Sequence, residues 1–186
     1  MNNLAVGQHY SHEIVNSEME IDGKKLASFT TVFDFPVDAV TRGFWTYCKD
    51  FARLQNLRSY YRVAIPPADS RSSQGYVLYG KPFQLNGMTE FYLALDPAGL
   101  ENNSLADLQS QVKNILREFK VDFYFQYYQE MIDFRIKEAE KLSKRYHKKV
   151  VKEKEDNSSA SLLRQISELE TGIRTLRAQQ LALYPN

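Results

Sequence analysis

The chain has 186 residues, of which 43% are hydrophobic and 13% aromatic, too apolar a composition for a disordered segment and enough for one core plus an appendage. Lys and Arg number 24 against 23 Asp and Glu, a formal net charge of +1. So even a balance excludes a whole-chain polyanion binder, and any electrostatic function must come from local clustering.

Residues 1–12 read as a tail. It has no basic stretch followed by an apolar one, so a secretory signal is not expected. With no apolar run near the roughly 20 residues that span a bilayer, a cytoplasmic protein is the expectation. Glu13 to Ile21 predicts a strand, Asp22-Gly23 a hairpin turn, and Lys24 to Phe35 the return strand. On that strand Ala27, Phe29, Thr31, Phe33 and Phe35 share one face, with Ser28, Thr30 and Asp34 opposite, the alternation of a half-buried strand.

Pro36 opens a helix over Val37 to Ala52, with Val37, Val40, Phe44, Cys48 and Phe51 on its apolar face and Gly43 in its interior. Leu57 to Ile65 predicts a third strand, ended by Pro66-Pro67, and 68–74 a polar loop. Gly75 to Phe83 and Met88 to Asp96 predict a second hairpin around Asn86-Gly87. The order is β-β-α-β-β-β.

From Leu100 to Lys154 there is no Pro or Gly, so one helix of about 50 residues is expected, with a capping-box-like pair at Ser104 and Asp107. Leu105, Leu108, Val112, Ile115, Phe119 and Phe123 form its first stripe. The aromatic run from Phe119 to Tyr128 is a place for a kink. Asp156 to Ser159 reads as a turn, and Ala160 to Leu183 as a last helix. Its seam of Leu162, Ile166, Leu169, Ile173, Leu176, Gln180 and Leu183 repeats every seven residues. The matching stripe on the long helix is Ile132, Ile136, Ala139, Leu142, Tyr146 and Val150. The short turn points to an antiparallel helical hairpin over 128–186, after an α+β sheet domain over 13–127. Such a hairpin buries one modest seam, so a second copy or another protein partner is expected to meet it.

Chemistry is sparse. The single thiol, Cys48, sits on an apolar helix face and reads as a small buried hydrophobe. His9 and His12 read as incidental surface histidines. No metal-ligand spacing, phosphate loop or nucleophile elbow occurs, so no cofactor is expected. Glu118, Asp122, Glu130 and Asp133 read as solvated helix faces beside Arg117 and Arg135. From Arg135 to Lys154 there are nine basic residues against three acids, a local charge of +6. The patch of Lys141, Lys144, Arg145, Lys148, Lys149 and Lys152 is either a solvated hairpin tip or a contact for nucleic acid, an anionic surface or an acidic partner. Tyr60, Tyr61, Tyr76, Tyr79, Phe91 and Tyr92 read as sheet packing. They also suit an aromatic-lined ligand pocket between sheet and helices.

The run Trp45-Thr46-Tyr47-Cys48-Lys49-Asp50-Phe51, followed by Phe91 to Asp96 ahead of a long charged helix, resembles uncharacterised bacterial proteins of the Bacteroidetes type over residues 30–180. The resemblance implies a small α+β domain followed by a long charged helix, and no catalytic residues. Those proteins typically carry an export signal, which the N-terminal residues here do not show. The sequence therefore favours a structural or adaptor protein acting through its C-terminal helices over an enzyme. A small apolar or aromatic ligand in a sheet-domain pocket, with or without catalysis, is the alternative.

Overall fold

The computed structural model describes residues 10–67, 75–100, 102–151 and 157–184. It is an α+β chain with a six-stranded antiparallel sheet and three helices, one of them long. The elements are β1 (Val15–Ile21), β2 (Lys24–Phe33), α1 (Val37–Cys48), β3 (Arg53–Asn56), β4 (Tyr61–Ile65), β5 (Tyr76–Leu85), β6 (Met88–Leu95), α2 (Asn102–Val150) and α3 (Asn157–Leu181). The chain divides into two compact units at Phe123 and Tyr124, inside α2. The expected loop over 68–74 and the turn residue Asp156 lie outside the described residues, as does the side chain of Ser104.

In the first unit the sheet order is β1-β2-β6-β5-β4-β3, every neighbour antiparallel. Both hairpin turns form as their sequences require. Asp22 and Gly23 have φ of 49° and 77°, and Asn86 and Gly87 have 49° and 84°, the left-handed pair of a two-residue hairpin. The sheet has six strands rather than five, because an unexpected strand, β3, precedes Leu57, and the expected strand from Leu57 begins only at Tyr61. Asn56 Oδ1 accepts the Arg58 N–H at 2.9 Å and Arg58 takes φ 69°, so the chain turns there. Arg53–Asn56 then pairs with Tyr61–Ala64 as β3.

One face of the sheet packs on α1 and on the first part of α2. Its centre is aromatic: Phe44 lies 4.7 Å from Phe91 and 5.1 Å from Phe119, and Phe33 lies 5.2 Å from Phe119 between ring centroids. Thr89 Oγ1 donates to the Phe35 carbonyl at 2.6 Å, fixing the exit of β2. The opposite face is buried as well, against the expectation of a half-buried strand: Ser28 and Thr30 are covered. Met19, Ile21, Tyr60 and Ala94 form a second apolar cluster there, joined by Leu26, Leu57, Tyr79 and Tyr92. Lys81 Nζ donates to the Glu20 carbonyl at 3.1 Å, across from β5 to β1. The sheet is thus curled until its β1 edge packs over its own concave side.

Helix α2 continues through the aromatic run without a break, and the second unit begins within it, at Tyr124. Contacts along α3 ascend while those along α2 descend. Arg145, Lys148 and Lys149 share a concavity with Ser161, Leu162 and Gln165, and Arg135 lies against Gly172. Gln180 Nε2 donates to the Phe125 carbonyl at 3.3 Å and to Gln129 Oε1 at 3.2 Å.

Candidate functional site

Two features of this chain concentrate chemistry, one in each unit. The first is the surface of the helical unit that the heptad pattern and the basic run single out. Ile173 and Leu183 are buried, and Leu162, Ile166, Leu169, Leu176 and Gln180 are half-buried, so the predicted seam is the less exposed side of α3 and of the residues just after it. On α2, Ile132 is buried and Ile136, Ala139, Leu142 and Tyr146 are half-buried, whereas Val150 is exposed. Gln180, the one polar seam residue, is satisfied by the two bonds to α2 just described. Apolar residues also stand outside the seam, notably Phe134, Leu163, Leu181 and Tyr184.

Of the basic patch, Lys141, Lys144, Arg145 and Lys148 are exposed, Lys149 is half-buried, and Lys152 lies outside the described residues. Lys137 joins them. Together with Glu140 the exposed cations line a shallow concavity of about 300 Å³. Lys141 Nζ stands 3.5 Å from Glu138 Oε1, an exposed pair that holds little energy in water. The acidic residues further up α2 are engaged locally: Glu118 Oε2 accepts from Tyr47 Oη at 3.2 Å, and Asp133 accepts from Gln129 at 2.9 Å.

The second feature is Lys120, which the sequence reading did not single out. It lies on the sheet-facing side of α2 and is only 2% exposed. Its Nζ donates to Thr31 Oγ1 at 2.8 Å, and Thr31 donates onward to the Glu13 carbonyl at 2.7 Å. The ammonium sits 5.5 Å from the Tyr10 ring centre and 5.7 Å from that of Phe33. Burial pulls its pKa down to about 8, and the charges of Asp34 and Glu13 oppose that pull. The one available signal was a lysine at helical spacing within an apolar stripe, Leu116, Lys120 and Phe123.

Cys48 is fully buried, and burial pushes its thiol up to about 12. His12 stacks edge-on with Tyr10 at 4.4 Å, and His9 lies outside the described residues. Among the described residues no three His, Cys, Asp or Glu side chains are placed to hold a metal ion, and no helix is long and apolar enough to cross a membrane. Tyr60, Tyr79 and Tyr92 pack in the second apolar cluster. A cavity of about 240 Å³ lies in the first unit, where Asn16, Ala27 and Phe29 of the sheet meet Gln109 and Val112 of α2. In comparisons with protein-family models, curated proteins and solved structures, nothing matches the chain.

Proposed function

We propose that the chain is a non-enzymatic structural or adaptor protein that works through protein–protein contacts of an antiparallel hairpin formed by α2 and α3. One observation carries this reading. The apolar side of α3 is covered incompletely within its own unit. Four seam residues, Leu162, Ile166, Leu169 and Leu176, keep part of their surface in water, and Leu181 is 76% exposed. Two helices bury only one seam, so an added helix, from a second copy or another protein, gains apolar area that the hairpin leaves wet. The setting that goes with this reading is cytoplasmic, and the resemblance to Bacteroidetes-type bacterial proteins adds no activity to it.

The test is light scattering coupled to size exclusion on the full chain at micromolar concentration, with pull-down from the native cell. The expected result is a dimer or a captured protein, lost in a Leu163→Glu, Leu181→Glu double variant whose circular dichroism is unchanged. A strict monomer that captures nothing overturns it. The cavity of about 240 Å³ beside Phe29 supports a second reading, a binding site for a small apolar or aromatic ligand. That reading gains from a ligand retained in native mass spectrometry. It loses if both that measurement and a thermal-shift panel are blank.

A further inference from the structure

The outer side of α2 carries a second surface, different in chemistry from the seam. Lys137, Lys141, Lys144 and Lys148 are spaced four, three and four residues apart, which places them in one row about 17 Å long. Tyr146 of the seam lies nine residues from Lys137, half a turn round the helix, so the row runs along the side of α2 opposite its seam, and only its last member, Lys148, also borders the concavity shared with Ser161 and Leu162. Arg145 borders the row, and all five cations are exposed. Apolar side chains stand at both ends of the row on the same side. Phe134, one turn before Lys137, is 59% exposed, and Val151, one turn after Lys148, is 82% exposed.

We infer that this face docks on the surface of an anionic lipid bilayer. Three arguments choose that occupant. The first is size. A strip one helix wide and about 26 Å long offers roughly 260 Å², well short of the ~800 Å² per partner of a stable protein interface. Attraction to an anionic leaflet grows with the number of cations instead and needs no shape complementarity. The second is composition. Lysine is depleted from protein interfaces, whereas lysines with an aromatic at their edge suit a headgroup layer, where the ammonium meets phosphate and the ring enters the acyl boundary. The third is the pair Phe134 and Val151. Duplex phosphates attract the same lysines but give those two side chains nothing to enter. The docking face is opposite the seam and does not depend on the proposed protein contacts.

The experiment is co-sedimentation of the full-length protein with phosphatidylcholine vesicles and with phosphatidylcholine–phosphatidylglycerol vesicles, alongside retention on duplex DNA. Binding to the anionic vesicles alone is expected, weakening as salt rises from about 50 to about 200 mM. The Lys137→Gln, Lys141→Gln, Lys144→Gln, Lys148→Gln variant should lose at least about a hundredfold in partitioning. Phe134→Ala, which changes no charge, should lose several-fold in partitioning. Unchanged circular dichroism and melting temperature establish that the variants fold. Equal binding to zwitterionic vesicles, indifference to the quadruple substitution, or DNA retention without vesicle binding would each overturn the inference. The Leu163→Glu, Leu181→Glu variant should bind vesicles normally, so failure here and failure of the protein-contact reading give different results.

Discussion

Tyr60 Oη donates to Asp22 Oδ2 at 2.6 Å, tying the turn between β1 and β2 to the residue that leads into β4. The two lie 38 residues apart and on opposite flanks of the sheet, so the bond records how far the sheet has curled. The carboxylate of Asp22 also holds the Tyr60 phenol above its ordinary pKa, with burial adding to that effect. Tyr60→Phe keeps the ring in the cluster with Met19, Ile21 and Ala94 and removes only the bond. The expected outcome is a lower urea midpoint at unchanged slope, with a larger fall for Tyr60→Ala, which also empties the cluster. An unchanged midpoint for Tyr60→Phe would mean that the bond adds nothing to the curl.

Lys120 makes a signed prediction about pH. Its folded pKa of about 8 lies below the unfolded value of 10.5. Below pH 8 both states carry the proton and the folded state bears the full penalty of a buried ammonium. Above pH 8 the folded state sheds the proton while the unfolded state keeps it, so stability rises with pH. The whole gain is about 3 kcal/mol, taken up between pH 8 and 10.5. Cys48 acts in the opposite sense. Its folded pKa, about 12, is above its ordinary 9, so its contribution is lost from pH 9 upward, followed by those of Tyr60 and Tyr79 above 10. Urea midpoints should therefore climb from pH 8 to about 9, level off while the Lys120 and Cys48 effects cancel, and decline above about 10. Lys120→Met should abolish the climb and be neutral or stabilising at pH 7, because Thr31 keeps its bond to the Glu13 carbonyl. A climb that survives in Lys120→Met would assign it to another group.

The elements whose local chemistry and tertiary setting agree were legible in the sequence. Asp22-Gly23 and Asn86-Gly87 allow little besides a tight hairpin, and an uninterrupted run without Pro or Gly allows α2 its 49 residues. The period of seven along α3 was readable even where Gln180 interrupts its apolarity, and it marks the less exposed positions of that helix. Strand β3 was not legible: Arg-Leu-Gln-Asn is polar and short, and it is a strand only because β4 pairs with it. The burial of Ser28 and Thr30 was also hidden. Alternation along β2 says which residues share a face, but not that the sheet curls over its second face. Lys120 escaped for a related reason, since a lysine in a helix is solvated by default and only Thr31, Tyr10 and Phe33 make its site.

Cys48 separates a packing role from a reactive one. The thiol is enclosed on the sheet-facing side of α1 with Val40 and Phe44, and its raised pKa leaves almost no thiolate at neutral pH. Iodoacetamide should label it at neutral pH only as fast as the first unit opens, and urea above the unfolding midpoint should release full labelling. Cys48→Ala should cost about 1 kcal/mol and Cys48→Ser more, because the hydroxyl enters an apolar site without a partner. Rapid native labelling, or a serine variant as stable as the alanine one, would contradict the packing role.

Gly43 and Gly172 both sit inside helices, yet the same substitution should act with opposite sign. In a free helix, Ala in place of Gly gains about 1 kcal/mol. A Cβ at Gly43 meets the half-buried Phe123 ring, which also packs 4.9 Å from Phe35 and 5.4 Å from Phe33, so the ring can yield only by giving up that packing. Gly43→Ala should therefore destabilise by about 1–3 kcal/mol despite its better propensity, and Phe123→Leu in the same chain should recover part of the loss. A Cβ at Gly172 meets only the guanidinium of Arg135, the far end of a flexible side chain that can swing aside. Gly172→Ala should be neutral or stabilise by up to ~1 kcal/mol. Thermal melts of the two variants, with Arg135→Ala as a background for the second, decide the matter. Equal effects at both positions would mean that helix propensity alone governs these glycines and that the ring at Phe123 is free to yield.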